Sequence, residues 1–532
     1  MKHSWVTLLP PTIVLVCSSL TKRVSFSLLM GITSAALIVS HFYVPGTVAI
    51  ATARIFNEII DPANMLTNAF LLLLGMIITL MNLTGGTYAY GVLLQKWLKT
   101  ARHAKLSSIA LSLCFMIDDF FSSLTVGCIM KPLFDTFHIP RVKLAYLIDS
   151  LAAPMVIIMP FSTWLAMILM QLHKAGIHEE MAQHPLIIAD PFLTYLRVIP
   201  FILYSFACLA TVFFISYFSI SYGPMAAQEA IAHETGNLFG GKSPLKETVS
   251  IVTPTGSIID FAFPLISLIT CCVATILHDG NSTVFGGTNG VLAAVQQANI
   301  FWALFFGAAI SFVISFCFMI FRKKMGVFAL VETVRGGFDL MWTSIVTLVL
   351  AWTFSSMLRT DLFVGSYLAQ SLTGTIAGWL LPALFYCASL ITAIATGSSW
   401  GTIAVMVPIA VPMLPPFFGI ATPATPETIA MVYPVIGAIF SGAVAGDHVS
   451  PIAPTSIMSA TSAGCYLTDH IVTQLPYAIP ALVNTVIGYL AIGLMLHNSY
   501  SLWQSWAGGM ATALIGTILC ISIANRLAKE RA

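Results

Sequence analysis

Between Thr360 and Asn525 the chain contains no lysine and no arginine. Charge is scarce everywhere: 8% of the 532 residues are Asp, Glu, Lys or Arg, against about 25% in an average soluble domain. So few charges could not cover the surface of a water-soluble protein of this length. The formal net charge of +2 gives no support to a nucleic-acid partner. Also missing are an HExxH zinc motif, a Walker loop and a dinucleotide fingerprint, which removes the commonest enzyme signatures. The ten cysteines never take CxxC spacing; scattered through apolar segments, they read as small packing residues rather than metal ligands or disulfides.

What the chain has in abundance is apolar sequence. It is 58% hydrophobic, with a mean hydropathy of +0.91. Runs of about 20 apolar residues recur, each long enough to cross a hydrocarbon layer roughly 30 Å thick. The runs are continuous rather than alternating, which excludes a β-barrel. The expected fold class is therefore an all-α polytopic membrane protein with about 11–14 transmembrane or half-membrane helices. Candidate spans lie near 5–20, 24–45, 64–83, 106–130, 144–170, 192–220, 258–277, 299–321, 341–358, 375–395, 398–414, 428–445, 477–497 and 503–525. Pro10-Pro11 and the lack of a small-x-small cleavage site favour a first transmembrane helix over a signal peptide.

Basic residues orient these spans. Lys22-Arg23, the group Lys96, Lys99, Arg102 and Lys105, the run Arg322-Lys323-Lys324 and the tail Arg526, Lys529, Arg531 should face the cytoplasm. The loop 278–298 holds Asp279 and no basic residue, and should face outward. The expected organisation is an N-terminal hairpin and interfacial segment (1–63), a first repeat (64–220), a cytoplasmic loop (221–257), a linking transmembrane pair (258–325), a second repeat (326–497), and a C-terminal helix with a basic tail (498–532). The repeats rest on weak self-similarity. TGGTYAYGVLLQKWL (84–98) aligns with LRTDLFVGSYLAQSL (358–372), setting Gly91 on Gly365. FSSLTVGCIMKP (121–132) aligns with SSWGTIAVMVP (398–408), and DSLAAPMVIIMPFST (149–163) falls against GDHVSPIAPTS (446–456). The first copy's connecting segment is basic and the second's is not, as an inverted repeat requires.

Four stretches signal broken helices: MIDDFFSSLTV (116–126), LIDSLAAPMVIIMPFSTW (147–164), ATGSSWGT (395–402) and GDHVSPIAPTS (446–456). Non-helical backbone at membrane depth is tolerated only where protein or a water-filled cavity surrounds it. The stretches also carry Asp118, Asp119, Asp149 and Asp447. An aspartate at the centre of a spanning helix costs roughly 2.5–3.5 kcal/mol. Four left unpaired would cost about 10 kcal/mol, as much as a whole domain's stability. The nearest basic residues in the first half are Lys131 and Arg141, and the second half has none nearby. A proton, a bound cation, cavity water, or hydroxyl and amide donors must offset the cost. Asp118 and Asp119 would point about 100° apart on a regular helix, so one of the two is expected to face a site.

Hydroxyls favour the cation. Ser122, Thr125, Ser398, Ser399, Thr402, Ser450, Thr455 and Ser456 place neutral oxygens beside the carboxylates, and oxygen ligands suit hard cations. Any one such hydroxyl more commonly bonds its own helix backbone. His448, with an ordinary pKa near 6.5, is a candidate proton relay. Two enzyme-like patterns fail on context. Gly397-Ser398-Ser399-Trp400-Gly401 matches a nucleophile elbow, which works only at a strand–helix corner. Gly446-Asp447 lacks the glycine two places earlier that intramembrane aspartyl proteases carry; Val444 stands there. No enzyme is expected.

SGAVAGDHVSPIAPTSIMSA (441–460), CFMIDDFFSSLTVG (114–127) and LAYLIDSLAAPMVIIMPFSTW (144–164) together resemble the NhaC-type Na+/H+ antiporters of the ion transporter grouping, over roughly 64–497. The resemblance implies two inverted repeats with broken or hairpin helices and exchange of Na+ for H+ across a bacterial inner membrane. It implies no cofactor beyond the transported ions. Some relatives couple these ions to small organic acids such as malate and lactate. One departure stands out: where the family motif usually continues with an aspartate, this chain has Pro454. The expected mechanism is alternate occupation of one mid-membrane site by proton and sodium. Asp119, Asp149 and Asp447 would hold Na+, with Asp118, Ser122, Thr125, Ser398, Ser399, Thr402, Ser450 and Thr455 around them. The chief rival is an ion-coupled transporter of a small organic acid or amino acid, its anionic group against helix N-termini at Ser122-Ser123 or Ser398-Ser399. A gated channel is a third reading. Oligomeric state is open, a homodimer included.

Overall fold

A computed structural model of the chain describes residues 5–21, 23–86, 89, 100–179, 185–245, 256–323 and 328–531. No strand forms among them; three isolated bridges are the whole of the β structure. Ten helices in this set are long and apolar enough to cross a membrane. In chain order the helices are α1 (Leu9–Thr21), α2 (Val24–Val39), α3 (Val44–Ile60) and α4 (Pro62–Leu83). Then come α5 (Ala101–Cys114), α6 (Asp119–Thr136), α7 (Arg141–Val156), α8 (Thr163–Ala175), α9 (Pro191–Val198), α10 (Leu203–Phe218) and α11 (Gly223–Thr235). They are followed by α12 (Ile258–Asp279), α13 (Val291–Gln297), α14 (Ile300–Lys323), α15 (Phe328–Ser356) and α16 (Val364–Leu372). The chain ends with α17 (Leu381–Thr396), α18 (Ser399–Phe417), α19 (Val432–Val449), α20 (Pro454–Ala463), α21 (Leu467–His497) and α22 (Leu502–Arg531).

Several of the expected spans are interrupted, 24–45 at 40–43 and 192–220 at 199–202 among them. The run 106–130 breaks at 115–118, so that α5 and α6 form a hairpin. The run 144–170 breaks at 157–162, between α7 and α8. In the second half, α17 and α18 meet at Gly397-Ser398, and α19 and α20 at 450–453. Local chemistry explains each break. Gly397 takes a left-handed φ of +64°, which only glycine adopts without strain. Ser398 then caps α18 by accepting from the Gly401 N–H. Pro454 opens α20 at its first position, where a missing N–H costs nothing. Both halves therefore run long helix, hairpin, interrupted helix. Much of the stretch aligned with 358–372 in the expected repeat, 87–88 and 90–99 with Gly91, Lys96 and Lys99, lies outside the described residues, as do Lys22 and Lys324.

Helix α21 begins ten residues before the expected start at 477, carrying Pro476 and Pro480 in its interior. The segment 221–257 is not a bare loop: α11 forms within it and docks through Glu229, whose carboxylate lies 3.2 Å from the Lys143 ammonium. Lys143 is fully buried and sits over the Tyr477 ring. Ion pairs mark the two ends of the bundle. One end gathers Arg141–Asp135, Lys143–Glu229, Lys242–Asp469 and Arg322–Asp260. The other gathers Arg54–Asp361, Lys174 with Glu58 and Asp61, and Arg197–Glu427.

At the centre, α7 and α19 are buried along their whole length. Helix α19 reaches that position through small residues. A side chain at Gly442 would strike the Tyr386 carbonyl of α17, and one at Gly446 would lie 2.5 Å from the Leu390 carbonyl. Glycines four apart let two membrane helices approach backbone to backbone, where dispersion contacts hold them. Gly442→Val is expected to force α17 away from α19 at a cost of roughly 1–3 kcal/mol, the usual penalty of overpacking. A lowered midpoint of thermal unfolding in detergent, relative to Ile391→Val on the exposed face of α17, would register it.

Candidate functional site

The four helix breaks bring their polar residues to two adjacent places. The first is a cavity of about 720 Å³. Asp119, at the start of α6, lies on its wall beside Trp164 of α8; the indole Nε1 donates to Asp119 Oδ1 at 3.3 Å. The lining also includes Ser398, Ser399 and Trp400 from the α17–α18 junction, and Asp447, Pro454 and Thr455 from the α19–α20 junction. Asp447 Oδ2 accepts from the Thr455 hydroxyl at 2.9 Å. The two indoles meet edge to face, with ring centroids 6.0 Å apart. Asp119 and Asp447 are 3% and 4% exposed, so what little solvent they meet is the cavity.

Asp118 faces elsewhere. Its Oδ2 accepts from the Thr163 hydroxyl at 3.0 Å, and the Thr163 N–H donates to the Ile117 carbonyl at 2.8 Å. The first hairpin tip is thereby pinned to the start of α8. Successive aspartates point different ways, and the cavity receives the second.

The second place is a buried network around Asp149, which is not on the cavity wall. Asp149 Oδ2 accepts three hydrogen bonds: from Ser456 at 2.9 Å, Gln474 Nε2 at 3.0 Å and His470 Nε2 at 3.1 Å. Its other oxygen, Oδ1, is buried without a hydrogen-bond partner, as is Gln474 Oε1. Gln474 Nε2 also donates to the His448 carbonyl. The His448 ring is held at both nitrogens, by Ser150 at 2.9 Å on Nε2 and by the Tyr204 hydroxyl at 2.6 Å on Nδ1. Both partners are hydroxyls, able to donate or accept, so either neutral tautomer of His448 is satisfied. Lys143, six residues before Asp149 on α7, turns away to Glu229.

Several expected ligands bond the backbone instead. Thr402 donates to the Ser398 carbonyl, Ser399 to Ala443 and Ser450 to Ile394. Ser122 is buried with its hydroxyl unpartnered, and Thr125 is buried beside it on α6. Reading the sequence did not single out Trp164, Thr163, His470, Gln474, Ser150, Tyr204 or Arg23, which also lines the cavity. His470 and Gln474 stand four apart on one helix, a polar pair that could have been noticed; starting that span at 477 hid it.

Comparison with known proteins fits this architecture. The Na+/H+ antiporter family pattern matches residues 155–494. The chain belongs to the Na+/H+ antiporter family. Among its relatives, an uncharacterized protein of Haemophilus influenzae is 30% identical over 526 residues, 98% of this chain and 95% of that one. A malate-2H(+)/Na(+)-lactate antiporter of Bacillus subtilis is 28% identical over 171 residues, 31% of this chain and 32% of its own length. Among solved structures, the YdaH transporter of Alcanivorax borkumensis shares the fold, with a TM-score of 0.50 at 12% identity, over 92% of this chain and 99% of that one. This member of the antiporter family is a multi-pass membrane protein and a secondary transporter. The Bacillus subtilis and Alcanivorax borkumensis proteins carry transporter names.

Proposed function

We propose that the chain exchanges Na+ for H+, with the cation entering the cavity between Asp119 and Asp447 and the proton carried by the Asp149 network. One observation carries this reading: two buried carboxylates from opposite halves of the chain share one cavity. Neither is neutralised by an ion pair among the described residues. Each accepts from a neutral donor, Thr455 or Trp164, and a proton or a cation would neutralise the charge that remains; a cation nearby favours the ionised form. The two therefore compete. Asp149 Oδ1 and Gln474 Oε1, both unpartnered acceptors, are suited to the same exchange one step deeper. His448, flanked by Ser150 and Tyr204, offers a relay between hydroxyls.

In this reading the two sets of hairpin and interrupted helix are related by inversion, and one rocks against the other to expose the cavity to either side. The end bearing Arg141, Lys143, Lys242 and Arg322 faces the cytoplasm, following the positive-inside bias, and the membrane is the bacterial inner membrane. The test is reconstitution into vesicles with a pH-sensitive dye inside, followed by pulses of Na+, Li+ or K+ under an imposed pH gradient. A pH change that depends on Na+ supports the exchange. Proton movement indifferent to every cation overturns it.

A further inference from the structure

The cavity is larger than a bare ion requires. Liquid water occupies about 30 Å³ per molecule, so 720 Å³ would hold about 24 waters, and pockets of roughly 300–1,000 Å³ are those that take small organic molecules. Its walls also carry charge of both signs. The wall made by the helix breaks presents Asp119 and Asp447, while the wall made by α2 and α15 presents Arg23. Ser25 of α2 and Thr347 of α15 are tied at 2.8 Å on that second wall, which places the α1–α2 turn against the cavity. Among the described residues no ion pair joins Arg23 to either aspartate. Opposite charges that line one cavity without pairing leave room for a ligand that bridges them. Between the charged walls lie the Trp164 and Trp400 rings and the Pro454 ring, apolar surface on which a carbon skeleton can lie and, at the indoles, a face that attracts an ammonium group.

We infer that this cavity binds an amino acid, its ammonium group against Asp119 and Asp447 and its carboxylate against Arg23. The inference rests on the ion-exchange reading, because the solute is moved by the same gradient. The charges balance accordingly. Two carboxylates and one guanidinium leave the site with one net negative charge, and a zwitterion changes nothing, so one Na+ or one H+ completes it. A simple organic acid would leave the two aspartates facing its own carboxylate, and a simple amine would leave Arg23 without a partner.

The experiment uses the full chain in vesicles. Uptake of a mixture of the labelled common amino acids is measured with and without a Na+ gradient. Each amino acid that moves is then compared with the amine formed by its decarboxylation and the acid formed by its deamination. The expected result is Na+-dependent uptake of an amino acid that exceeds both analogues. In Arg23→Gln the preference for the amino acid over its amine should fall about tenfold, the worth of one hydrogen bond to a charged group. Arg23→Lys should recover part of it. Because the readout is a ratio of two solutes on one variant, a loss of folded protein cannot imitate it. Equal movement of the amine or the acid, or an unchanged ratio in Arg23→Gln, overturns the inference. So does Na+-dependent proton movement with no amino acid uptake, which leaves ion exchange standing alone. Absence of both movements brings down the two readings together.

Discussion

Asp447→Asn should lower Na+-driven proton flux by about 100-fold, and Asp119→Asn should do the same, while Asp118→Asn costs far less. The substitution is nearly isosteric, so Thr455 at 2.9 Å and Trp164 at 3.3 Å still find an oxygen to which they can donate. What is lost is the negative charge facing the cavity. Removing one partner of a buried charge contact costs roughly 2–5 kcal/mol, and each 1.4 kcal/mol is about a factor of ten. Asp118 gives the contrast: it has the same chemistry on the adjacent residue, but its Oδ2 is engaged by Thr163 and it does not line the cavity. Initial rates of dye response after a Na+ pulse, normalised to reconstituted protein, rank the three variants. Asp447→Asn with the rate of the unaltered chain would refute the cavity as the ion's binding place.

The breaks that build this cavity were legible because the signals are local. Prolines, glycines and hydroxyls beside aspartates stand out in an apolar chain, and all four stretches so marked contain or adjoin a break. The divergence of Asp118 and Asp119 was expected from the 100° step of a regular helix, although Asp118 stands in the break before Asp119 opens α6. Partners were not legible. Trp164, Tyr204 and Arg23 look like ordinary packing or flanking residues, and only the folded chain shows an indole on Asp119, a phenol on His448 or Arg23 among the residues lining the cavity. The grouping of Asp149 with Asp119 and Asp447 also depends on tertiary packing. Asp149 projects from α7 toward α20 and α21, where Ser456, His470 and Gln474 surround it, and no spacing in the chain announces that these helices meet there.

That separate enclosure makes Asp149 the source of the second large effect. Asp149→Asn should uncouple the protein, leaving it folded but without Na+-driven proton movement, whereas Asp149→Ala should also lower its stability. The difference follows from the donors. Three groups converge on Oδ2, and asparagine keeps an acceptor oxygen for them. Alanine takes the acceptor from Ser456 and His470 and leaves Gln474 only the His448 carbonyl, inside a core where each unsatisfied polar group costs about 1–3 kcal/mol. Neither residue can bind and release a proton as a carboxylate does, so both should abolish the coupled flux. Thermal unfolding in detergent separates them: a midpoint near that of the unaltered chain for Asp149→Asn, and a clearly lower one for Asp149→Ala. Asp149→Glu is the decisive companion. It restores the charge on a longer side chain, and partial recovery of flux would show that an ionisable group at this place is what exchange needs. If Asp149→Asn retains full flux, the network around His448 and Gln474 is packing, and the proton must share the cavity with the sodium ion.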